Sequence, residues 1–221
     1  MRPYYQDDWA TIYHGDCREV LPTLGAVDLV LTDPPYGIKQ DKGMGGAGYD
    51  GFGKRVKRNS RQYTGGWDSG RPGQDVFQML LSAGKNHIIW GGQYFSDLLP
   101  VNQKWLAWDK QQTMPSYSDA ELAWTTLSGN SLKMFRYCGS GLMAAEKERY
   151  HPTQKPVALI RWCIGMVPGV SSILDPFMGS GTTLRAAKDC AIKSIGIEIE
   201  ERYCEIAVKR LRQEILFGEA A

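Results

Sequence analysis

The stretch Ser172-Ile173-Leu174-Asp175-Pro176-Phe177-Met178-Gly179-Ser180-Gly181-Thr182-Thr183 decides how this chain folds. A short apolar run ends on an acid and a proline. A turn with two glycines follows, and a helix then reads to about Cys190. Glycines let a backbone come close to a ligand, and a helix start offers N–H groups without partners. The next strand, 194–197, ends at Glu198, 23 positions beyond Asp175. An acid at about 20 positions is where nucleoside-binding α/β folds hold a ribose hydroxyl. Leu184 occupies the place of the third glycine of a GxGxxG pattern, which counts against a nicotinamide dinucleotide.

Outward from that turn, strands and helices alternate. Strands are expected at 11–13, 27–31 and 87–90, and helices at 18–24, 76–83 and 94–99. Three further strands, 104–108, 121–126 and 132–137, read as antiparallel neighbours. Helices are expected at 156–166, with Pro156 in the first position, and at 200–215. The alternation at both ends predicts an α/β fold: a mostly parallel sheet with an antiparallel edge, covered by helices on both faces. The 221 residues suffice for one such domain, expected to span 1–221.

Composition narrows the function classes. Apolar residues make up 43% and charged residues 23%, ordinary values for a globular protein. No apolar run reaches the roughly 18 to 20 residues that cross a bilayer, and the polar, aromatic start is unlike a signal peptide. A cytoplasmic protein with no membrane partner is expected. The five cysteines include no CxxC pair, so neither a disulfide framework nor a zinc site is suggested, and no metal is expected. Net charge is only +2, yet the segment 37–75 carries eight Lys or Arg against four Asp. A local patch, not a basic whole, is what phosphates require.

A second cluster follows the VDLVL strand: Asp33-Pro34-Pro35-Tyr36. Two prolines cannot continue a central strand, so the run stops there. Asp33 offers a carboxylate, and the Pro34 carbonyl can point the same way because proline fixes the backbone. Two such acceptors can take both hydrogens of an –NH2 group while Tyr36 stacks on a flat base. Read alone, the same residues could equally be a turn with a solvated acid.

Three segments together carry a resemblance. Asp33-Pro34-Pro35-Tyr36 resembles the DPPY motif of amino-group DNA methyltransferases. Phe177-Met178-Gly179-Ser180-Gly181-Thr182 resembles their FxGxGT cofactor motif, and His151-Pro152-Thr153-Gln154-Lys155-Pro156 the HPTQKP segment before it. The catalytic motif comes first and the cofactor motif last, as in the circularly permuted β-class of that family. The resemblance implies a Rossmann-like S-adenosylmethionine-dependent methyltransferase fold and double-stranded DNA as partner. It implies catalytic roles for Asp33, Pro34, Pro35 and Tyr36. The cofactor would lie among Asp16, Cys17, Asp33, Asp175, Pro176, Phe177, Gly179, Ser180, Gly181, Thr182 and Glu198. Within that set, Asp16 would sit near its adenine, Glu198 would hold its ribose, and Thr153 and Lys155 could reach its carboxylate.

The expected target is adenine N6, with cytosine N4 as the alternative. Asp, not Ser, precedes the proline pair, and in this family Ser there leans toward cytosine. A C5-cytosine enzyme needs a Pro-Cys pair, which the chain lacks. A non-catalytic DNA-binding module is the rival from another class, and Asp33 with Tyr36 argues against it. The segment 37–75 is expected to be a mobile basic loop contacting DNA through Lys54, Arg55, Lys57, Arg58 and Arg61. The short region 109–150 is expected to recognise the target. A chain this small must still hold a duplex, so a homodimer is expected.

Overall fold

In a computed structural model, the protein is described over residues 1–38, 70–111, 118–138, 150 and 154–213, with the backbone of 48–49 and 55–56. The described residues form a nine-stranded sheet and a separate two-stranded pair. In chain order the strands are β1 (Tyr5–Gln6), β2 (Ala10–His14), β3 (Val27–Thr32), β4 (Gly48–Tyr49), β5 (Arg55–Val56), β6 (Gly84–Trp90), β7 (Trp105–Asp109), β8 (Ala120–Thr125), β9 (Lys133–Arg136), β10 (Ser172–Asp175) and β11 (Lys193–Glu198). The helices are α1 (Cys17–Val20), α2 (Gln74–Ser82), α3 (Val157–Gly165), α4 (Thr182–Asp189) and α5 (Glu201–Arg212).

The large sheet runs β1-β2-β11-β10-β3-β6-β8-β7-β9. The central strands β2, β11, β10, β3 and β6 are parallel, while β1 and β8 run against their neighbours. Alternation within β3 and β6 sorts their side chains to two cores. Leu29, Leu31, Ile88 and Trp90 pack with α3 and α4; Val30 and Ile89 pack with α1 and α2 on the other face. On the same side as α4, helix α5 closes over β2 through Ile12, Cys204, Ala207 and Leu211.

Strand order fixes where a ligand can sit. From β3 the chain passes through α2 to β6 on one side; from β10 it passes through α4 to β11 on the other. The neighbours β3 and β10 therefore flank the point where connection direction reverses. Their carboxyl ends open the crevice that α/β sheets use for ligands.

Three expectations change. First, β9 pairs parallel with β7 and not antiparallel with β8. Both edges of β8 are already taken by β6 and β7, so only the outer edge of β7 is open to it. Second, the helix expected over 94–99 is a 3-10 turn, Gly92–Phe95. Third, Pro156 caps α3 in an extended conformation instead of opening its first turn. Most of the basic loop 37–75 and much of 109–150 lie outside the described residues. The β4–β5 pair adds two short strands that the glycine-rich reading lacked.

Candidate active site

The end of β3 supplies the first half of the site. Thr32 is buried, and its hydroxyl donates to Asp175 Oδ1 at 2.7 Å, tying the ends of β3 and β10 together. Asp33 follows. The Tyr36 hydroxyl donates to its Oδ1, and the Lys155 ammonium donates to its Oδ2 at 2.5 Å. Burial pushes the Asp33 carboxyl up, and Lys155 and Tyr36 only partly offset this. Tyr36 lies flat against Tyr94, ring centroids 4.6 Å apart, and Phe95 meets it edge-on. The backbone at Gly91 comes so close that an added Cβ would stand 2.1 Å from the Tyr36 ring. Gly91 also adopts a left-handed φ of 70°.

The second half stands on β10, α4 and β11. Asp175 Oδ1 also accepts the Phe177 N–H at 3.2 Å, which shapes the turn, and burial raises this carboxyl to about 6. Glu198 accepts the Gly179 N–H at 2.9 Å and the Glu200 N–H at 2.8 Å. Burial dominates those bonds and raises Glu198 to about 7. Arg210 holds the turn from behind: one guanidinium nitrogen reaches the Ser180 carbonyl at 2.8 Å and Thr182 Oγ1 at 3.1 Å.

Both halves wall one cavity of about 450 Å³. Its lining takes in all of 33–36, Asp16, Cys17, Lys155, Asp175, Pro176, Phe177, Gly179, Ser180, Thr182 and Glu198. Two residues expected with these are not among them. Thr153 lies outside the described residues. Gly181 is absent from the lining because its open side faces α5; a Cβ there would stand 2.7 Å from that of Ala207. It lets α4 approach α5. Asp16 caps α1 and is paired with Arg18, so its carboxylate is oriented at the cavity edge.

Residues 124–209 match the family model N6_N4_Mtase, described as DNA methylase. The chain is 29% identical to the Type II methyltransferase M.ScaI of Streptomyces caespitosus over 269 aligned residues, covering 96% of this chain and 84% of the relative. It is 26% identical to M.HinfI of Haemophilus influenzae, covering 96% and 71%. Over these matches the chain is similar to amino-group DNA methyltransferases. Its fold is shared with the crystal structure of the M1.HpyAVI-SAM complex, with a TM-score of 0.60, 24% identity and coverage of 92% of this chain and all of that chain.

Sequence reasoning gave no role to four side chains at or behind the cavity: Glu121, which pairs with Lys155; Tyr94, stacked on Tyr36; Arg71, which bridges to Asp97; and Gln154, which accepts from Ser180. Gln154 had a signal as part of the HPTQKP segment, and Arg71 only as one of the eight cations counted over 37–75. Of the basic residues expected on DNA, Arg55 falls on β5, opposite Tyr49. Lys54, Lys57, Arg58 and Arg61 lie outside the described residues.

Proposed function

We propose that the protein transfers the methyl group of S-adenosylmethionine to an exocyclic amino nitrogen in double-stranded DNA, with adenine N6 as the target. One observation carries the reading: the acceptor turn 33–36 and the glycine turn after β10 open into the same cavity, at the strand-order reversal. The names of the relatives, Type II methyltransferases, support DNA as the substrate. The choice of adenine rests on Asp33 before the proline pair. All described elements belong to one catalytic unit in this reading, with 37–75 and 109–150 as its DNA-facing segments.

The cavity suits that cofactor. A recessed acid at one end, Glu198, fits a ribose diol, and Asp16 and Cys17 beside it suit the adenine. The backbone of the 179–182 turn leaves room for the amino-acid part. When bound, the cofactor supplies an electrophilic methyl on a sulfonium. The protein's share is to prepare the nucleophile. A base amino group is weakly nucleophilic because its lone pair is spread into the ring. Asp33 and the Pro34 carbonyl accept its two N–H groups and localise that pair on nitrogen. Tyr36 stacks on the base, which must leave the duplex to arrive there. Positioning and electrostatics then lower the barrier without a covalent enzyme intermediate. Incubation with duplex DNA and cofactor labelled in the methyl group tests the proposal: label is expected in DNA, and unlabelled DNA would refute it.

Glu198 gives a pH prediction. Its carboxylate must be ionised to accept two ribose hydroxyls, and its pKa is raised to about 7. Protonation therefore competes with cofactor binding below that value. Affinity should weaken as pH falls from 8 to 6, approaching tenfold per unit below pH 7. Glu198→Gln should bind more weakly by about 1 to 3 kcal/mol at pH 8, the scale of charge-assisted hydrogen bonds, and lose the slope through pH 7. Calorimetry across that range checks both.

A salt titration tests the basic segment. Each phosphate contact steepens the log–log salt dependence of duplex binding by about 0.9. Replacing Arg55, Lys57 and Arg58 together with Ala should flatten that slope and weaken binding to all sequences alike, because phosphate contacts position and base contacts specify. Coincident slopes would move the DNA surface to 109–150.

A further inference from the structure

The acceptor assigned to the base amino group is already occupied. Both oxygens of Asp33 are engaged, Oδ1 by the Tyr36 hydroxyl and Oδ2 by Lys155. An incoming N–H must displace one of these donors. Lys155 has only 6% of its side chain exposed, so an ammonium pushed off Asp33 has no water to turn to and needs another acceptor.

One is in place. Glu121 Oε2, on β8, stands 3.0 Å from Lys155 Nζ. Yet it is one of three buried polar side-chain atoms, among the described residues, that have no hydrogen-bond partner. The ammonium is ion-paired with both carboxylates, and its shorter contact is the one to Asp33. The other Glu121 oxygen is held by Lys110 at 2.6 Å. Asp33, Lys155, Glu121 and Lys110 thus alternate in sign from the cavity to the end of β7, where the segment between β7 and β8 begins. A buried carboxylate oxygen that is ion-paired but holds no well-directed hydrogen bond, beside a cation that must move, has a ready use.

We infer that Glu121 is a positioning residue for methyl transfer: it receives Lys155 when the target amino group docks on Asp33, so that Asp33 is released without leaving a buried charge unpaired. The inference rests on the proposed role of Asp33 as acceptor. It explains why an apparently saturated carboxylate can still take a substrate hydrogen. Lys155 rotates by one hydrogen bond, the site keeps its net charge, and no side chain has to leave the cavity.

Four charged or titratable groups face Asp33: Tyr36 from its own turn, Lys155 ahead of α3, Glu121 on β8 and Asp175 on β10. Lys155 lowers the Asp33 pKa and Glu121 raises it. Removing the Glu121 charge therefore has two effects of distinct kinds. Lys155 stays locked on Asp33, which slows the reaction. At saturating cofactor, where Glu198 no longer limits binding, the acid limb of kcat assigned to Asp33 moves to lower pH. Removing Lys110 leaves Glu121 uncompensated, strengthens its hold on Lys155, and moves that limb to higher pH.

The test is kcat and KM against pH for the full chain and for Glu121→Gln and Lys110→Met, with methyl transfer to duplex DNA as readout. Glu121→Gln should lose about tenfold to a hundredfold in kcat, the scale of a misplaced reacting group, with cofactor KM unchanged and the limb shifted down. Lys110→Met should shift it up. Wild-type kcat in Glu121→Gln, or a lower kcat with an unshifted limb, would overturn the inference and leave Glu121 a structural ion-pair partner. If Glu121→Gln does not fold, Lys110→Met decides alone, and an unmoved limb there overturns it. Wild-type protein that methylates no DNA would bring down the reading of the site itself, a different failure.

Discussion

Asp33→Ala should abolish methyl transfer, with a fall of about 10³-fold or more, while the protein still binds its cofactor nearly as well. The magnitude follows from removing a group aimed at charge that develops only in the transition state, where single polar groups are worth about 10² to 10³. Loss of the acceptor leaves the amino lone pair spread into the base, and the remaining Pro34 carbonyl can take only one of the two hydrogens. Cofactor binding survives because Glu198 and the 179–182 turn stand on β11, β10 and α4, apart from the 33–36 turn. Stability should fall as well. Lys155 keeps Glu121 as a counter-ion, so the loss should stay below the roughly 3 to 5 kcal/mol of a buried pair broken outright. Single-turnover transfer with a parallel cofactor titration separates these effects. Substantial turnover in the variant would remove Asp33 from the chemistry.

Gly91→Ala should damage both stability and activity. An added Cβ would meet the Tyr36 ring at 2.1 Å, and a left-handed φ of 70° is itself unfavourable for alanine by about 1 to 2 kcal/mol. Overpacking adds about 1 to 3 kcal/mol. The ring cannot retreat freely, since Tyr94 stacks on it and Phe95 meets it edge-on. A Tyr36 displaced by even 1 Å should cost about 10²-fold in rate. Gly25→Ala is the control: nothing lies within 4 Å of its added Cβ. Thermal melts and transfer rates of the two variants check this. Equal behaviour would mean that Tyr36 is not held where a base must stack.

The contrast between these residues explains what the sequence could and could not reveal. The strands β3, β10 and β11 were legible because each is a short apolar run punctuated by an acid, a proline or a glycine. The two motif turns were legible because each local pattern has a local cause. Their meeting in one cavity followed from strand order, since turns at the ends of β3 and β10 flank the reversal whatever the loops do. Glu121 was not legible. In β8, AELAWT, it reads as an ordinary polar position on a half-buried strand, and its partner Lys155 lies 34 positions further on. The stacking of Tyr94 on Tyr36 spans 58 positions and depends on the close approach at Gly91. β1 is two residues long, too short for any period, and is held by Asp7 accepting the Trp9 and Ala10 N–H groups. The parallel pairing of β9 was hidden for a related reason: it depends on which edges are already occupied, and that is a property of the assembled sheet.

The most direct test is the identity of the modified base. Genomic DNA from cells that lack adenine methylation of their own and express the protein, digested to nucleosides and resolved by mass spectrometry, should contain N6-methyl-2′-deoxyadenosine that is absent from cells expressing Asp33→Ala. N4-methyl-2′-deoxycytidine in its place would keep the chemistry and correct the target. DNA with neither base modified, from cells holding folded wild-type protein, would contradict the account.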